Sequence, residues 1–536
     1  MTQYVRARAR ALSLNDDNRR WWTLAAMCFA LFMIMLDNTV VNVALPSIQR
    51  SLHANLSSLE WTVNAYTLTF AALLVSGGRL GDIYGRRRMF LFGVVTFAVS
   101  SALCGFAPTD TALVIARAVQ GIGAAFMMPA TLSIITNAFP PHERGKAIGT
   151  WAGVSAMALA LGPVLGGFLT QAVSWRAIFY INLPVAVGAV VITLFAARES
   201  RDETVTRSVD FAGIGAVTAG LAAIVLALVE ANSWGWGSAR IIALLAAGIL
   251  ALFAFVVIEL RVHAPMIDFS FFRARTFLGA NLVAFIVSFS MLAMFFFIAL
   301  YMQNVLHYTP LQAGVRFLPS TALIMVVAPL AGRLTDRVGP RWLITGGLLA
   351  VAGALFWQSH VTIHSGYTTL LPGFVLMGVG MGFTMSPMST AGMNAVDRTK
   401  AGVASGVLSM SRMVGGSFGV AAIGALVAGV GRSQLDKLLP AVAPAQRHVL
   451  AESLGAGALP RGSSIGQAVN QAFVTALGDG LRLSAAIAVI GALVAALLIS
   501  PVVRSTAAPQ TAGDDSELTP QDVAASEQPA LVGSTP

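Results

Sequence analysis

Long apolar stretches alternate with short polar segments along almost the whole chain. A helix needs about 20 apolar residues to cross the hydrocarbon core of a bilayer, and stretches of that length recur between residues 21 and 502. The pattern therefore predicts an all-α polytopic membrane protein. The fourteen spans that it predicts lie at about 21–45, 59–79, 89–107, 111–135, 147–172, 177–197, 210–230, 239–260, 276–302, 312–333, 341–360, 369–392, 402–430 and 471–502.

The composition points to the same class. Of the 536 residues, 56% are apolar and 11% are charged, whereas soluble domains carry about 25% charged residues. The net charge of +10 comes from basic residues that are spread over short loops. That distribution is typical of topology signals, so no nucleic acid is expected as a partner.

The basic residues also predict the orientation. With the N-terminal tail (1–20) inside, 23 of the 34 Lys and Arg residues fall in inward tails and loops and eight in outward ones. Cytoplasmic loops carry the excess of Lys and Arg, so both termini are predicted to be cytoplasmic in a cell-membrane protein. An outward loop is predicted at 431–470, and residues 503–536, rich in Ser, Thr, Pro and acids, are predicted to form a disordered tail.

The sequence predicts no ATP site, metal site or cofactor. Its three lysines, Lys146, Lys400 and Lys437, do not stand in a GxxxxGK[ST] pattern, which a P-loop requires. No metal-ligand spacing and no nucleophile–base pair stand out in the predicted spans. The two cysteines, Cys28 and Cys104, fall inside apolar segments, as expected of buried thiols. An enzyme is therefore not predicted.

An acidic residue interrupts the first predicted span. In the stretch FALFMIMLDNTVVNVALP (29–46), Asp37 lies about ten residues before the outer end of the span, or ~15 Å below the surface at 1.5 Å per residue. Arg117 lies seven residues into the fourth span, which runs the other way, at a depth of roughly 10 Å. The two side chains are therefore expected to meet or to share a water-filled cavity.

Ionisable groups inside a membrane usually serve function, because a charge at that depth costs several kcal/mol. Burial and a nearby guanidinium act on a carboxylate in opposite directions, and a carboxylate balanced between them can take and release protons. The alternative for Asp37 and Arg117 is a static ion pair that fixes packing. Asn38 and Asn42, beside Asp37, are candidates for hydrogen bonds to substrate or water, or for bonds between helices.

The two halves of the chain resemble each other. GRLGDIYGRR (78–87) matches GRLTDRVGPR (332–341) at an offset of 254 residues, and GIGAAFMM (121–128) matches GVGMGFTM (378–385) at an offset of 257. The pairing predicts two six-helix bundles and a linker that contains spans 7 and 8, with a site between the bundles. The predicted ranges are 21–197, 276–502 and, for the linker, 198–275.

The repeated stretch carries candidate residues for the cytoplasmic face. Its glycines permit close packing and a tight turn, its aspartate can cap or pair with a helix end, and its arginines suit the membrane surface. The arginines could also serve only as orientation signals. The candidates are Gly78, Asp82, Gly85, Arg86 and Arg87 in the first half, and Asp336 and Gly339 in the second.

A glycine-rich stretch, LGPVLGG, occurs in the fifth span. Gly162 and Gly166 share one helical face, Gly167 is adjacent, and Pro163 removes a backbone hydrogen bond and kinks the helix. Small residues at this spacing permit close approach to a neighbouring helix. Ordinary helix packing is sufficient to explain this stretch.

One basic residue of the second half is predicted to lie deep in the membrane. Arg412 stands about ten residues into the thirteenth span, and the matching repeat position holds Ser155. Arg412 is a candidate for a second-half cavity, where it would bind an anionic group or a carbonyl. The alternative is a side chain that extends along its helix to the cytoplasmic end.

These motifs together resemble a known family. Over residues 21–502 the chain is similar to major facilitator transporters of the fourteen-helix drug:proton antiporter type (EmrB/QacA type). The resemblance rests on LDNTVVNVALP (36–46), GRLGDIYGRRR (78–88), RAVQGIGAA (117–125), FPPHERGKA (139–147), LGPVLGG (161–167), WRAIFYINLP (175–184) and SMSRMVGGSFG (409–419).

The resemblance implies the major facilitator fold with two extra central helices. It also implies proton-coupled export of amphipathic, cationic or neutral drug-like compounds by alternating access, a cytoplasmic Asp–Arg latch, and a sealing role for the LGPVLGG helix. The implied partners are a small-molecule substrate, protons and the bilayer, and a periplasmic adaptor is left open. The alternatives are dedicated export of one metabolite, such as an antibiotic, lipid or siderophore, and a sensor or scaffold that does not transport.

Overall fold

The computed structural model describes residues 16–201, 210–262, 269–396, 401–444 and 464–501, with four further residues between the last two ranges. Within these residues the chain is helical almost throughout, and short connections make successive helices alternate in direction. The long helices are α1 (Asp16–Leu52), α2 (Leu56–Tyr84), α3 (Arg86–Phe106), α4 (Asp110–Ala138), α5 (Pro141–Ala172), α6 (Ala177–Ala196), α7 (Phe211–Trp234), α8 (Ala239–Arg261), α9 (Arg275–Leu300), α10 (Pro310–Val338), α11 (Pro340–Gln358), α12 (Tyr367–Asn394), α13 (Ala401–Leu438) and α14 (Ser464–Leu498).

Two short elements flank α9. A 3-10 turn, Phe269–Arg273, precedes it, and a π-helical turn, Tyr301–Val305, follows it. We call the face where α1 begins and α14 ends the tail face, and the opposite face the far face. The predicted tails before residue 16 and after residue 501, and most of the connection between α13 and α14, lie outside the described residues.

Within the described residues, twelve helices are long and apolar enough to cross a membrane. The protein is therefore a multi-pass membrane protein. The helices α2 and α5, of 29 and 32 residues, are not among the twelve. Both lie where the two halves meet, and α2 buries polar side chains such as Glu60, Thr62 and Asn64, which lower its mean hydropathy.

Several helices extend beyond the predicted spans. The first continues through Pro46 to Leu52, so that only residues 53–55 separate α1 from α2. The thirteenth continues to Leu438, so the loop predicted from residue 431 begins later. A helix can continue into polar sequence because its backbone hydrogen bonds do not depend on apolar side chains. The hydrophobic pattern indicates only the apolar part of each helix.

The prediction of a loop over residues 78–87, after span 2, is wrong for most of these residues. Gly78 and Asp82 belong to α2, and the turn itself consists of Gly85, which has φ +112°. The repeat places Gly339, with φ +84°, at the matching turn between α10 and α11. Glycine adopts positive φ without a steric penalty, which explains why a single residue is enough to reverse the chain.

The internal repeat appears as matching contacts. Gly123 of α4 packs against Phe97 of α3, and Gly380 of α12 packs against Val351 of α11. Neither glycine has room for a side chain, since a Cβ would lie within 2.6 to 2.8 Å of the backbone nitrogen of its partner. These positions are related by the sequence offsets of 254 and 257 residues, as expected of a parallel repeat.

The two halves meet along two pairs of helices: α2 packs against α13, and α5 packs against α10. At the far face this contact is close. A Cβ on Gly167 of α5 would lie 2.5 Å from the carbonyl oxygen of Pro310, at the start of α10. In the π-helical turn, Gln303 Nε2 donates to the carbonyl oxygen of Val43 on α1 at 2.7 Å. The far face is therefore closed between the halves.

The helix α7 covers one of these two seams, because it packs against both α2 and α13. Its apolar residues Val217, Leu221 and Val225 belong to the same buried cluster as Leu68 of α2 and Ala421 of α13. The next helix, α8, packs on α7 and leaves most of its apolar surface exposed, as a helix in contact with lipid does.

Candidate functional site

The structure places Asp37 of α1 in direct contact with Arg117 of α4. Arg117 donates from Nη1 to Asp37 Oδ2, and the exposed fractions of the two residues are 0% for Asp37 and 1% for Arg117. Thr109 caps the N-terminus of α4 by accepting a hydrogen bond from Ala112 N. This cap fixes where α4 begins, and Arg117 lies in the second turn beyond it. The pair is enclosed among helices and has no contact with solvent in this structure.

Gln120 completes the hydrogen bonding of the pair. Its Nε2 donates to Asp37 Oδ1 at 3.1 Å, and its Oε1 accepts from Arg117 Nη1 at 2.8 Å. Both carboxylate oxygens are therefore satisfied. Ser101 Oγ accepts from Gln120 Nε2 at 3.3 Å and from Asn182 Nδ2 at 3.0 Å, which extends the polar network to α3 and α6.

Arg117 has two further partners on α2. Its Nε donates to the carbonyl oxygen of Thr62 at 3.0 Å, and its guanidinium lies 4.2 Å from the centre of the Tyr66 ring. A cation over an aromatic face is attracted by the ring quadrupole. The guanidinium therefore keeps two interactions that do not depend on the carboxylate of Asp37.

Asn38 and Asn42 use their amide nitrogens within α1. Asn38 Nδ2 donates to the carbonyl oxygen of Ile34 at 2.8 Å, and Asn42 Nδ2 donates to that of Asn38 at 3.2 Å. These bonds do not join α1 to another helix. The two asparagines extend the polar character of α1 beyond Asp37 by one turn.

The glycine-rich stretch of α5 packs directly against the helix that carries Asp37. Gly162 lies against Thr39, and Gly166 lies against Val40, with no room for a Cβ at either glycine. On its other side α5 approaches α10, where Gly314 contacts the carbonyl oxygen of Pro163. The stretch therefore links the segment just after Asp37 to the second half of the protein.

At the tail face, Asp82 pairs with Arg86, one turn further along the chain, at 2.8 Å. Within the described residues this ion pair stays inside the first half, and the side chain of Asp336 in the second half lies outside the description. Glu199, after α6, accepts hydrogen bonds from the backbone nitrogens of Arg87 and Arg88 at 3.0 and 3.2 Å. Glu199 thus caps α3 at its N-terminus.

The remaining candidates have packing roles or stand alone. Gly78 lies against Pro129 of α4, and Gly339 lies against Pro501, which follows α14. Arg412 on α13 is partly buried, and no described residue forms a hydrogen bond or an ion pair with it. The structure does not bring Arg412 into the Asp37 network.

Gln120 and Glu199 are the site residues that the sequence analysis missed. Gln120 follows Arg117 by three residues, and this spacing places two side chains on one face of a helix. That signal was available in the sequence. Glu199 stands in a charged connection, and its capping role depends on a contact between residues that are 112 positions apart, which no local pattern indicates.

The fold and the site together define a membrane transporter made of two repeated halves with a buried carboxylate–guanidinium pair in one of them. The profile of the Major Facilitator Superfamily matches residues 27–420. The chain belongs to this superfamily of transporters.

Two curated relatives and one solved structure are similar to the chain. The tetracenomycin C resistance and export protein of Streptomyces glaucescens is 34% identical and covers 89% of this chain and 91% of its own length. The multidrug resistance protein Stp of Mycobacterium tuberculosis is 36% identical and covers 82% of each chain. A bacterial homolog of the human lysosomal transporter Spinster, in an inward-facing and unoccupied conformation, shares the fold with a TM-score of 0.62 at 17% identity, over 90% of this chain and 97% of its own.

Proposed function

We propose that this transporter exports drug-like compounds, antibiotics among them, in exchange for protons. Two observations support export: the relatives are named as resistance and export proteins, and the α5 glycines pack as a sealing helix would. The observation that carries the proton coupling is the enclosed network of Asp37, Arg117 and Gln120. A carboxylate held among helices by a cation and an amide is a proton site that a conformational change can open.

Alternating access supplies that change. With Asp37 fully enclosed and the far face closed, a proton reaches the carboxylate only after the network opens in a second state. Protonation then weakens the ion pair with Arg117 and favours release of the substrate. The deprotonated carboxylate recovers Arg117 and favours loading from the cytoplasm.

The proposed topology has fourteen spans, because α2 and α5 join the twelve apolar helices. Both are as long as their neighbours, and each packs between helices of the two halves. Helices enclosed by protein need less apolar surface than helices in contact with lipid. The excess of basic residues supports a protein of the cell membrane whose tail face and termini are cytoplasmic.

Export and coupling are tested together in inverted membrane vesicles. Uptake of fluorescent cationic and neutral compounds into the vesicles is followed under an imposed pH gradient, with and without a proton uncoupler. The proposal expects transport that stops when the uncoupler is added. Transport that continues unchanged after collapse of the gradient contradicts proton coupling, and no transport of any compound favours a sensor or scaffold.

Dedicated export of one metabolite is the second candidate, favoured by the relative named for tetracenomycin C. A substrate panel separates the two candidates. A dedicated exporter moves one chemical class and leaves the rest of the panel untouched. A multidrug exporter moves several classes at rates within about tenfold of each other, since adaptable apolar cavities discriminate weakly.

A further inference from the structure

A second acidic residue is enclosed at the seam between the halves. Glu60 lies on the second turn of α2, near the far face, and is 2% exposed. Within the described part of the chain, no residue donates a hydrogen bond to its carboxyl group or forms an ion pair with it. A carboxylate in such a place is unfavourable, because burial penalises a charge that has no partner.

The carboxyl group of Glu60 lies against the second half of the protein. A Cβ on Gly424 of α13 would overlap Glu60 Oε1 and lie 2.8 Å from Oε2. The absence of a side chain at residue 424 therefore leaves the space that the Glu60 carboxyl group fills. Close by, Ser417 Oγ of α13 donates to Asn64 Oδ1 of α2 at 2.9 Å, so this part of the seam is tightly closed.

An acidic residue of α7 is an electrostatic neighbour of Glu60. Glu230, near the far end of α7, accepts a hydrogen bond from Ser57 Oγ at 2.8 Å, three residues before Glu60. Glu230 therefore adds a second acidic group, and no cation, at this end of α2. On the far-face halves of the other helices that pack around α2, the charged groups are Asp110 and Arg117 of α4, Asp37 and Arg50 of α1, and Arg432, Asp436 and Lys437 of α13.

None of these other groups neutralises Glu60. Asp110 accepts from Ser58 Oγ, and Arg117 is held by Asp37, Gln120 and Thr62. Arg432 and Lys437 stand eight and thirteen residues beyond Gly424, Asp436 pairs with Arg447, and Arg50 lies on the last turn of α1. The enclosed carboxyl group therefore has an acidic neighbour on one side and glycine backbone on the other.

We propose that Glu60 is a second proton site, which allows the seam between α2 and α13 to close at the far face only when its carboxyl group is protonated. The inference rests on the proposed alternating access, in which the far face opens to release substrate. Opening separates α2 from α13 and brings Glu60 into water, where it ionises. A proton from the outside must then bind the Glu60 carboxyl group before α13 can pack against α2 again, with Gly424 in contact with Glu60.

Linkage fixes the direction of the effect. The closed seam encloses the carboxyl group without a partner, so the closed state binds the proton more tightly than the open state. Low pH therefore favours closure, and a rise in pH favours opening. Removal of the Glu230 charge makes Glu60 ionise more readily, so the opening transition moves to lower pH.

The test measures the far-face distance across this seam in the full-length protein in lipid nanodiscs. Nitroxide labels are attached to His53→Cys, in the connection that leads into α2, and to Lys437→Cys, near the far end of α13; both positions are exposed. The native Cys28 and Cys104 are both buried, which keeps them from the label. Double electron–electron resonance then reports the open fraction as the pH of the buffer is varied.

The labelled parent is expected to open as the pH rises. Glu60→Gln, which is always neutral, is expected to stay closed at every pH, whereas Glu60→Asp keeps a transition. Glu230→Gln is expected to lower the midpoint by about one pH unit. Asp479→Asn, in an exposed pair on α14, is the control and leaves the midpoint unchanged.

A Glu60→Gln profile that matches the parent overturns the inference, and so does a parent that shows no pH response. The short distance in Glu60→Gln, together with its elution as a monodisperse species, shows that this variant is folded. Vesicle transport by the parent separates the two proposals. Uncoupler-sensitive transport that Glu60→Gln leaves intact rejects only the Glu60 site, whereas transport independent of the gradient rejects the antiport itself.

Discussion

Asp37 and Arg117 form an ion pair that joins two antiparallel helices and has no contact with solvent. The pair is not isolated, because Gln120 bonds to both of its members. Each carboxylate oxygen of Asp37 therefore accepts a hydrogen bond from one donor. When Asp37 is deprotonated, its negative charge is neutralised by Arg117. The consequences of changing each member are distinct and measurable.

Asp37→Asn is expected to abolish gradient-driven transport while leaving the fold intact. The amide keeps the size of the carboxyl group but carries no exchangeable charge. Arg117 keeps its bond to the Thr62 carbonyl and its contact with the Tyr66 ring. The measurement is substrate uptake into proteoliposomes with an imposed pH gradient.

The matched control for this variant is Asp479→Asn, which removes a carboxylate from an exposed pair with Arg482. Exposed pairs contribute little, so transport by this control should equal that of the parent. Full transport by Asp37→Asn would show that the residue does not couple protons to export.

Arg117→Ala is expected to destabilise the protein more than any other single change in the network. It leaves an ionised carboxylate enclosed without its cation, which costs about 3–5 kcal/mol for a buried pair. The double variant Asp37→Asn with Arg117→Ala should recover a large part of that loss, since no buried charge remains. Thermal unfolding of the detergent-solubilised protein compares the three forms, and equal melting temperatures for the single and double variants would contradict this account.

Gly314→Ala is expected to push α10 away from α5, because Gly314 contacts the carbonyl oxygen of Pro163. Overpacking of a close helix contact costs about 1–3 kcal/mol, which shifts the population toward states with an open far face. Accessibility of a cysteine placed at Leu311 to a charged thiol reagent should rise. Gly346→Ala on α11 is the control, because no atom lies within 4 Å of the added Cβ. Equal reactivity in both variants would argue against a seal at this contact.

Glu199→Ala is expected to lower stability by about 1 kcal/mol, the usual contribution of a helix cap. It removes the acceptor for the first free backbone nitrogens of α3, at Arg87 and Arg88. Glu199→Gln keeps an acceptor oxygen and should lose less. The melting temperatures of the two variants test the cap, and a Gln variant as unstable as the Ala variant would point to charge instead.

Arg412→Gln distinguishes the two roles that the sequence leaves open for Arg412. If its guanidinium binds an anionic part of the cargo, transport of acidic compounds should fall at least about tenfold, the loss expected for one charged hydrogen bond, while neutral compounds are unaffected. Arg412→Lys should retain part of the acidic transport. Equal rates for both compound classes in all three proteins would leave Arg412 with a structural role.

The hydrophobic pattern correctly predicted an all-α, multi-pass membrane protein, because a spanning helix needs a minimum length of apolar sequence, and twelve described helices meet that requirement. It failed at the helix ends: α1, α2 and α10 each continue several residues into polar sequence. Hydropathy indicates which residues suit contact with lipid, whereas a helix ends where the backbone N–H and C=O groups can no longer form helical hydrogen bonds. Gly85 and Gly339 mark such ends by their positive φ values.

The Asp37–Arg117 contact could be expected from the depths of ~15 Å and roughly 10 Å that the sequence predicts for the two residues. The Glu199 cap and the Glu60–Gly424 contact could not. Each joins residues more than a hundred positions apart in sequence, and their geometry depends on how the helices pack.

The position of α7 makes the two sides of the protein unequal toward the bilayer. It packs against both α2 and α13, whereas the described helix that contacts both α5 and α10 is α1, which also packs on α4 and α6 inside the first bundle. A hydrophobic molecule dissolved in the membrane therefore meets α7 at the α2–α13 boundary, and meets α5 and α10 themselves at the other boundary. Substrate that enters laterally from the lipid phase would therefore have to pass between α5 and α10.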